Sequence, residues 1–473
     1  MNFVSYVFLA FYGVVFSLYW LLPHRKQNLL LLIASYVFYG WWDWRFLSLI
    51  IFSSIFDFVC GKLLTHIKSR RSRQLVLSCS IVANIGLLGI FKYFDFFSAS
   101  FGRLCSLIGW NFSTPLLSVM LPVGISFYTF QTLSYTIDVY RGQLKPTHRL
   151  LDFMLYVSFF PQLVAGPIER ARSLLPQILL PRTYSGQQVA SGMTLALIGF
   201  FKKMVISDNM AVVVDSVYEA RNPDGLAVLV GTWCFAFQIY CDFSGYTDIA
   251  RGISRMLGIH ICENFRLPYF AVSPSEFWQR WHISLSTWLR DYVYVPLGGN
   301  RNGYLATLRN LMITMLLGGL WHGASGHFIV WGAYHGGLLI LYRVVESRSR
   351  RQTNVNADAG ITRWLQAVIY FQLTCLGWLL FRAETTSQAA DLFLALFQFG
   401  PIVDTQDLSP AAFRLVFLAV PLICFQVYQF QCNRMEPWQN WPVTVQAVFY
   451  SILFYLIVVF GSPTTNEFIY FQF

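Results

Sequence analysis

The sequence predicts an all-α polytopic membrane protein on three observations. Of its 473 residues, 56% are hydrophobic and 18% aromatic, while only 12% are charged, about half the charged content of an ordinary soluble domain. Apolar residues gather in runs at 28–40, 46–61, 75–91, 115–137, 150–165, 190–207, 224–247, 306–321, 326–343, 361–381, 408–429 and 443–461. The cations gather in the short polar stretches between those runs. Together with an N-terminal segment the runs give roughly a dozen helices, some too short to cross a ~30 Å hydrocarbon core alone. No soluble domain and no internal repeat interrupts them, so residues 1–473 read as a single membrane domain.

Residues 2–22 carry no charge and have the length of a first span. They lack the basic start and small-residue cleavage site of a signal peptide. His24, Arg25 and Lys26 follow directly. The stretch Lys62–Arg73 holds Lys62, Lys68, Arg70, Arg71 and Arg73 without an acid. By the positive-inside rule both loops face the cytoplasm and the N-terminus lies outside. Arg141, Lys145 and Arg149 form another such loop, and Arg348, Arg350 and Arg351 sit in the most polar linker. The net charge of +11 is therefore mainly topological. It calls for membrane lipid or a phosphate-bearing donor at the basic face rather than nucleic acid.

Pro161, Gly166 and Pro167 interrupt a run that then meets Glu169 and Arg170, which predicts a broken element. Residues 248–305 are the least ordinary part. Ser273 and Pro274 followed by Glu276 read as a helix start, with Glu276 and Arg280 at helical spacing. From Phe277 to Tyr294, aromatic and apolar positions alternate with Arg280, His282, Arg290 and Asp291. That pattern predicts one amphipathic helix in or dipping into the membrane, closed by the loop at 297–300. Broken backbone at membrane depth implies a protein-lined or water-filled cavity.

Residues 316–336, LLGGLWHGASGHFIVWGAYHG, hold His322, His327 and His335. On one continuous helix His327 and His335 would stand about 80° apart, but His322 and His335 about 220° apart. They would not converge on a metal, and no Cys or acid completes a site. No metal centre is expected. His322 differs in lying at a junction followed by Gly323, Ala324, Ser325 and Gly326, where small residues admit backbone or substrate close to the ring. An ionisable group there is a functional candidate, and its ordinary pKa suits proton transfer. His327 and His335, beside Trp331 and Tyr334, read as packed or interfacial. His282, flanked by Trp278, Trp281 and Trp288, is the second candidate, against a place in the interfacial belt. Asp242 and Asp248, with Tyr246 between them and Arg251 behind, either hold a helix break by capping and pairing with arginine or line a polar tunnel. The nine cysteines are odd in number, without a C-x-x-C pair. Most, including Cys79, Cys234, Cys241, Cys375 and Cys424, read as small buried hydrophobes. No Walker loop and no G-x-S-x-G occurs.

Six motifs in order, LPVGISFYTFQTLSYTIDVYRG at 121–142, PQLVAGPIER at 161–170, DFSGYTD at 242–248, ENFRLPY at 263–269, WQRWHISLSTWLRDYVYVPLGGNR at 278–301 and GGLWHGA at 318–324, resemble the membrane-bound O-acyltransferase (MBOAT) family, in its bacterial branch that acylates polymers. The motif-rich core is 118–345. The resemblance implies a ring of tilted, broken and interfacial helices around a central tunnel. It implies that His322 and His282 are catalytic and that Trp321, Trp278, Arg280, Asp242 and Tyr246 line the tunnel or bind substrate. It implies an acetyl thioester donor, acetyl-CoA, with no tightly bound cofactor. It also implies an extracytoplasmic partner of SGNH-type serine esterase fold that places acetyl on a polysaccharide, and a bacterial cytoplasmic (inner) membrane location. The polymer would be alginate or a related exopolysaccharide, with cellulose, peptidoglycan or D-alanyl transfer to teichoic acid as alternatives. Outside the class, a transporter or a scaffold recruiting the esterase remains.

Overall fold

The computed structural model describes residues 1–110, 114–164, 166–349, 360–398, 408–462 and 468–469. Among them the chain is helical, with no strand. It divides into two compact units, Met1–Ala196 with Ala250–Cys262, and Leu197–Ile249 with Glu263–Phe473. Eight helical stretches among the described residues are long and apolar enough to cross a membrane. The basic linker expected around Arg350 and Arg351 lies outside the described residues.

The first unit holds α1 (Tyr6–Tyr19), α2 (His24–Asp43), α3 (Leu47–His66), α4 (Arg70–Leu88), α5 (Phe94–Leu107), α6 (Ile125–Tyr140), α7 (Leu150–Ser158), α8 (Phe160–Leu163), α9 (Ala171–Leu179) and most of α10 (Gly186–Phe200). The first span is shorter than its uncharged sequence suggests. Ser5 caps α1 by accepting from the Phe8 N–H at 3.2 Å, and Pro23 opens α2. The 14-residue α1 reaches only about 21 Å. The break expected around Pro161 is present, since α7 stops at Ser158 and the four-residue α8 ends at Leu163. Helices α3, α4 and α6 are joined by a polar knot: Asp57 accepts from Ser80 Oγ at 2.5 Å, Asn84 Nδ2 at 2.7 Å and Thr136 Oγ1 at 3.0 Å. Side-chain bonds of this kind hold helices together where lipid offers no hydrophobic drive.

The second unit continues with α11 (Asp208–Tyr218), α12 (Gly225–Met256, as far as Ile249), α13 (Pro274–Arg280), α14 (Ile283–Leu289), α15 (Tyr304–His322), α16 (Gly326–Ser349), α17 (Ile361–Arg382), α18 (Thr386–Ala395), α19 (Leu408–Gln431) and α20 (Val443–Phe460). Large apolar side chains on α20, such as Phe454, Tyr455 and Val458, are exposed, as a lipid-facing helix requires.

Three expectations change. The amphipathic stretch 277–294 is two short helices and a π turn (Arg290–Tyr294), broken at Trp281 and His282, because His282 takes a left-handed conformation with φ 42°. Asp242 and Asp248 mark no helix break. Helix α12 runs through both, and their partners are lysines. Cys79 and Cys424 are exposed on their helices rather than buried, since an apolar surface facing lipid welcomes a thiol as readily as a core does. All nine cysteines are free.

Candidate active site

The second unit brings together the two histidines singled out from the sequence. His322 is the last residue of α15, and the chain leaves it through Gly323 in extended backbone. A side chain at 323 would come within 2.2 Å of the Phe328 ring. The bare glycine therefore lets Phe328 approach the backbone beside His322. Three rings surround the imidazole almost edge-on: Trp321 at 5.1 Å, Trp331 at 5.0 Å and Phe381 at 5.2 Å between centroids. The antiparallel turn from α15 into α16 delivers Trp331, and the end of α17 delivers Phe381.

His282 is fully buried. Its left-handed backbone is held from both sides by the preceding irregular segment. Asn264 accepts from the Ile283 N–H through its carbonyl at 3.0 Å and from the Ser284 N–H through its side chain at 3.2 Å. The Arg266 N–H donates to the Arg280 carbonyl at 2.9 Å. Thus the ENFRLPY motif straps the break in place. The imidazole stands 4.7 Å from Phe243 and 5.7 Å from Trp321, so Trp321 touches both histidines. Burial lowers the His282 pKa to about 3, which keeps this ring neutral at physiological pH.

Trp331 touches His335 as well, at 4.8 Å. His335 is fully buried against Trp278 at 5.3 Å. Gly377 admits it, for a Cβ there would lie 2.6 Å from His335 Nε2. His327 has its ring 4.1 Å from Phe328 and its Nδ1 2.9 Å from Ser325 Oγ. Among the described residues no group of His, Cys, Asp and Glu could hold a metal.

The remaining candidates fall into two groups. Tyr246 packs its ring 4.9 Å from Phe468. Asp242 is ion-paired to Lys203 at 2.7 Å. Arg280 lies at the edge, 2.7 Å from Glu276 Oε1, an oxygen that Arg363 shares at 3.0 Å. Burial raises the Glu276 pKa, but the Val272 N–H and the two guanidiniums outweigh it and hold the carboxyl below its ordinary value. Sequence reasoning missed Lys202 and Lys203. Two cations inside the apolar run 190–207 were a signal of buried acidic partners.

A neutral buried imidazole and a second imidazole at a helix end thus share one aromatic enclosure in a multi-pass helical protein. The MBOAT, membrane-bound O-acyltransferase, family model matches residues 143–381, and the chain belongs to that family. It is an O-acetyltransferase of the multi-pass membrane class. The chain is 44% identical to the probable alginate O-acetylase AlgI of Pseudomonas aeruginosa over 402 residues, 85% of this chain and 75% of that protein. It is 41% identical to the probable alginate O-acetylase AlgI of Azotobacter vinelandii over 429 residues, 90% and 84% of the two chains. It is 35% identical to the peptidoglycan O-acetyltransferase of Helicobacter pylori over 412 residues, 80% and 76%.

Proposed function

We propose that the protein takes an acetyl group from cytoplasmic acetyl-CoA and passes it through a tunnel for O-acetylation of an extracytoplasmic polysaccharide, alginate or a close relative. The likeness to two probable alginate O-acetylases favours that polymer. The observation that carries the reading is the buried His322 ring at the helix end, linked through Trp321 to the neutral His282. In this reading His322 accepts the proton of the acceptor hydroxyl. The oxygen attacks the thioester carbonyl, the C–O bond forms as the C–S bond breaks, and the proton returns to the leaving thiolate as the CoA thiol. His282 donates a hydrogen bond to the developing oxyanion, for which a neutral ring with one N–H suffices. Trp321, Trp278 and Tyr246 wall the acyl path and exclude water. Arg280 and Asp242 hold the frame around it.

An extracytoplasmic SGNH-type protein receives the acetyl group and places it on the polymer, and the membrane is the bacterial inner membrane. The first test is polymer-bound acetate in cells carrying His322→Ala, with the membrane level of the variant matched to wild type. Loss of most polymer acetate is expected. Retention at wild-type level would remove His322 from the chemistry and favour the scaffold reading.

A further inference from the structure

The C-terminal segment is tied back to the second unit at two places. The π turn Phe201–Ser207 in the chain between α10 and α11 shifts the usual bonding by one residue. There the Met204 carbonyl accepts from the Ser462 N–H at 3.1 Å, while Asn209 Nδ2 donates to the Phe460 carbonyl at 2.8 Å. The second tie is the Ile469 N–H, which donates to Asp242 Oδ2 at 2.7 Å.

The second tie meets an electrostatic need. Lys203 Nζ lies 2.7 Å from Asp242 Oδ1 and 2.9 Å from Asp208 Oδ1, and all three side chains are buried. Two carboxylates share one ammonium, and buried charge is tolerated only when further hydrogen bonds satisfy the remaining lone pairs. A backbone N–H from the tail is such a donor, and it costs no additional charge. The tie sets the adjacent Phe468 against the site. Its buried ring stands 4.9 Å from Tyr246 and 5.6 Å from Phe243, and Phe243 meets the His282 ring edge-on at 4.7 Å.

We propose that Phe468 is a positioning residue of the acyl-transfer site, acting on His282 through Phe243, and that the Lys203–Asp208–Asp242 cluster serves to anchor it. The inference rests on the acetyl-transfer reading above. It joins Phe468 to the packing behind His282 and gives the buried ion cluster a functional purpose beyond joining helices.

The experiment measures CoA thiol release from acetyl-CoA in membrane vesicles of a polymer-producing strain carrying the full-length chain, with membrane level and detergent-phase melting recorded. A small displacement of a reacting group costs up to about 10²-fold in rate. Phe468→Ala is therefore expected to lower kcat by about ten- to a hundredfold with KM for acetyl-CoA unchanged, and Phe468→Tyr to restore it. Ile469→Pro, which deletes the N–H, is expected to act as Phe468→Ala does, whereas Ile469→Ala keeps the N–H and the rate. Should Phe468→Ala not accumulate, Phe468→Leu takes its place with the same reading. Wild-type kcat in Phe468→Ala and Ile469→Pro would overturn the inference. A fall that follows only the loss of melting temperature, without rescue by Tyr, would overturn it too. Absence of CoA release from wild-type vesicles would instead sink the acetyl-transfer reading.

Discussion

Glu169→Gln should change how stability depends on pH, and the structure fixes the sign. Glu169 is buried in the first unit with its Oε1 2.5 Å from the Cys262 N–H. Burial raises its pKa from 4.5 to about 7, with the Cys262 hydrogen bonds and the charges of Arg170 and Arg251 pulling the other way. Between pH 4.5 and 7 the folded protein therefore holds a proton at this carboxyl that the unfolded chain has lost. The stabilising contribution is full below pH 4.5 and is lost as pH rises through 7, with a slope of about 1.4 kcal/mol per pH unit inside that window. Glutamine keeps the shape and an acceptor for the Cys262 N–H but has no proton to lose. From pH 5 to pH 8 the wild type should therefore lose about 2–3 kcal/mol relative to the variant, nearly all of it below pH 7. Unfolding in detergent micelles at half-unit pH steps reads the difference. His282 biases stability the opposite way, because its pKa is lowered, but it is common to both proteins and cancels. Parallel wild-type and variant profiles from pH 5 to 8 would refute the buried-carboxyl argument.

Gly377→Ala places a methyl 2.6 Å from His335 Nε2, so the ring must shift against the aromatic side chains packed around it. Overpacking of this kind costs about 1–3 kcal/mol, and acetyl transfer should fall along with the melting temperature. A variant with wild-type activity and melting would show that the ring has room. His282→Asn should keep the break better than His282→Ala, since asparagine tolerates the left-handed backbone; both should lose polymer acetate. Equal melting temperatures for the two would count against backbone strain at this position. Lys203→Met leaves Asp208 and Asp242 without their shared cation, a loss of about 3–5 kcal/mol, and Lys203→Met with Asp208→Asn and Asp242→Asn should recover part of it in the same unfolding assay. Ser273→Ala removes the acceptor of the Glu276 N–H, 3.2 Å away, and should cost about 1 kcal/mol.

How much of this was legible in the sequence varies with the range of the interaction. The junction at His322 was legible, because glycines and a serine between two apolar runs announce a turn, and a histidine among them has little to pack against locally. The helix start at Ser273 was legible for the same reason: a cap is a contact three residues long. The break at His282 was not. Its cause is Asn264 and Arg266, which donate or accept across about 15 to 20 positions of chain, and the intervening pattern of aromatic and polar residues suits one helix as well as two. Asp242 and Asp248 looked like helix breakers because their partners, Lys203 and Lys202, come from another helical segment. The lysines themselves stood in plain view inside an apolar run.

For the three histidines of residues 316–336, helical angle argues only against a shared metal and the small residues after His322 set it apart; the structure relates the three through aromatic contacts. Trp321 links His322 to His282, and Trp331 links His322 to His335, while His327 packs on Phe328 at 4.1 Å and meets Ser325. Tryptophan suits this linking position because it excludes water over a large face and keeps one N–H to place. A histidine packed so loses the solvent that would favour its charged form, as His282 shows, without losing the lone pair and N–H that move protons. Both properties follow from the same packing, so in the proposed acetyl transfer the rings that make the surroundings apolar also prepare the imidazoles for their chemistry. The C-terminal Phe468 belongs to that packing one ring further out, and for this reason a change more than a hundred residues from either histidine in the chain is expected to reach the rate.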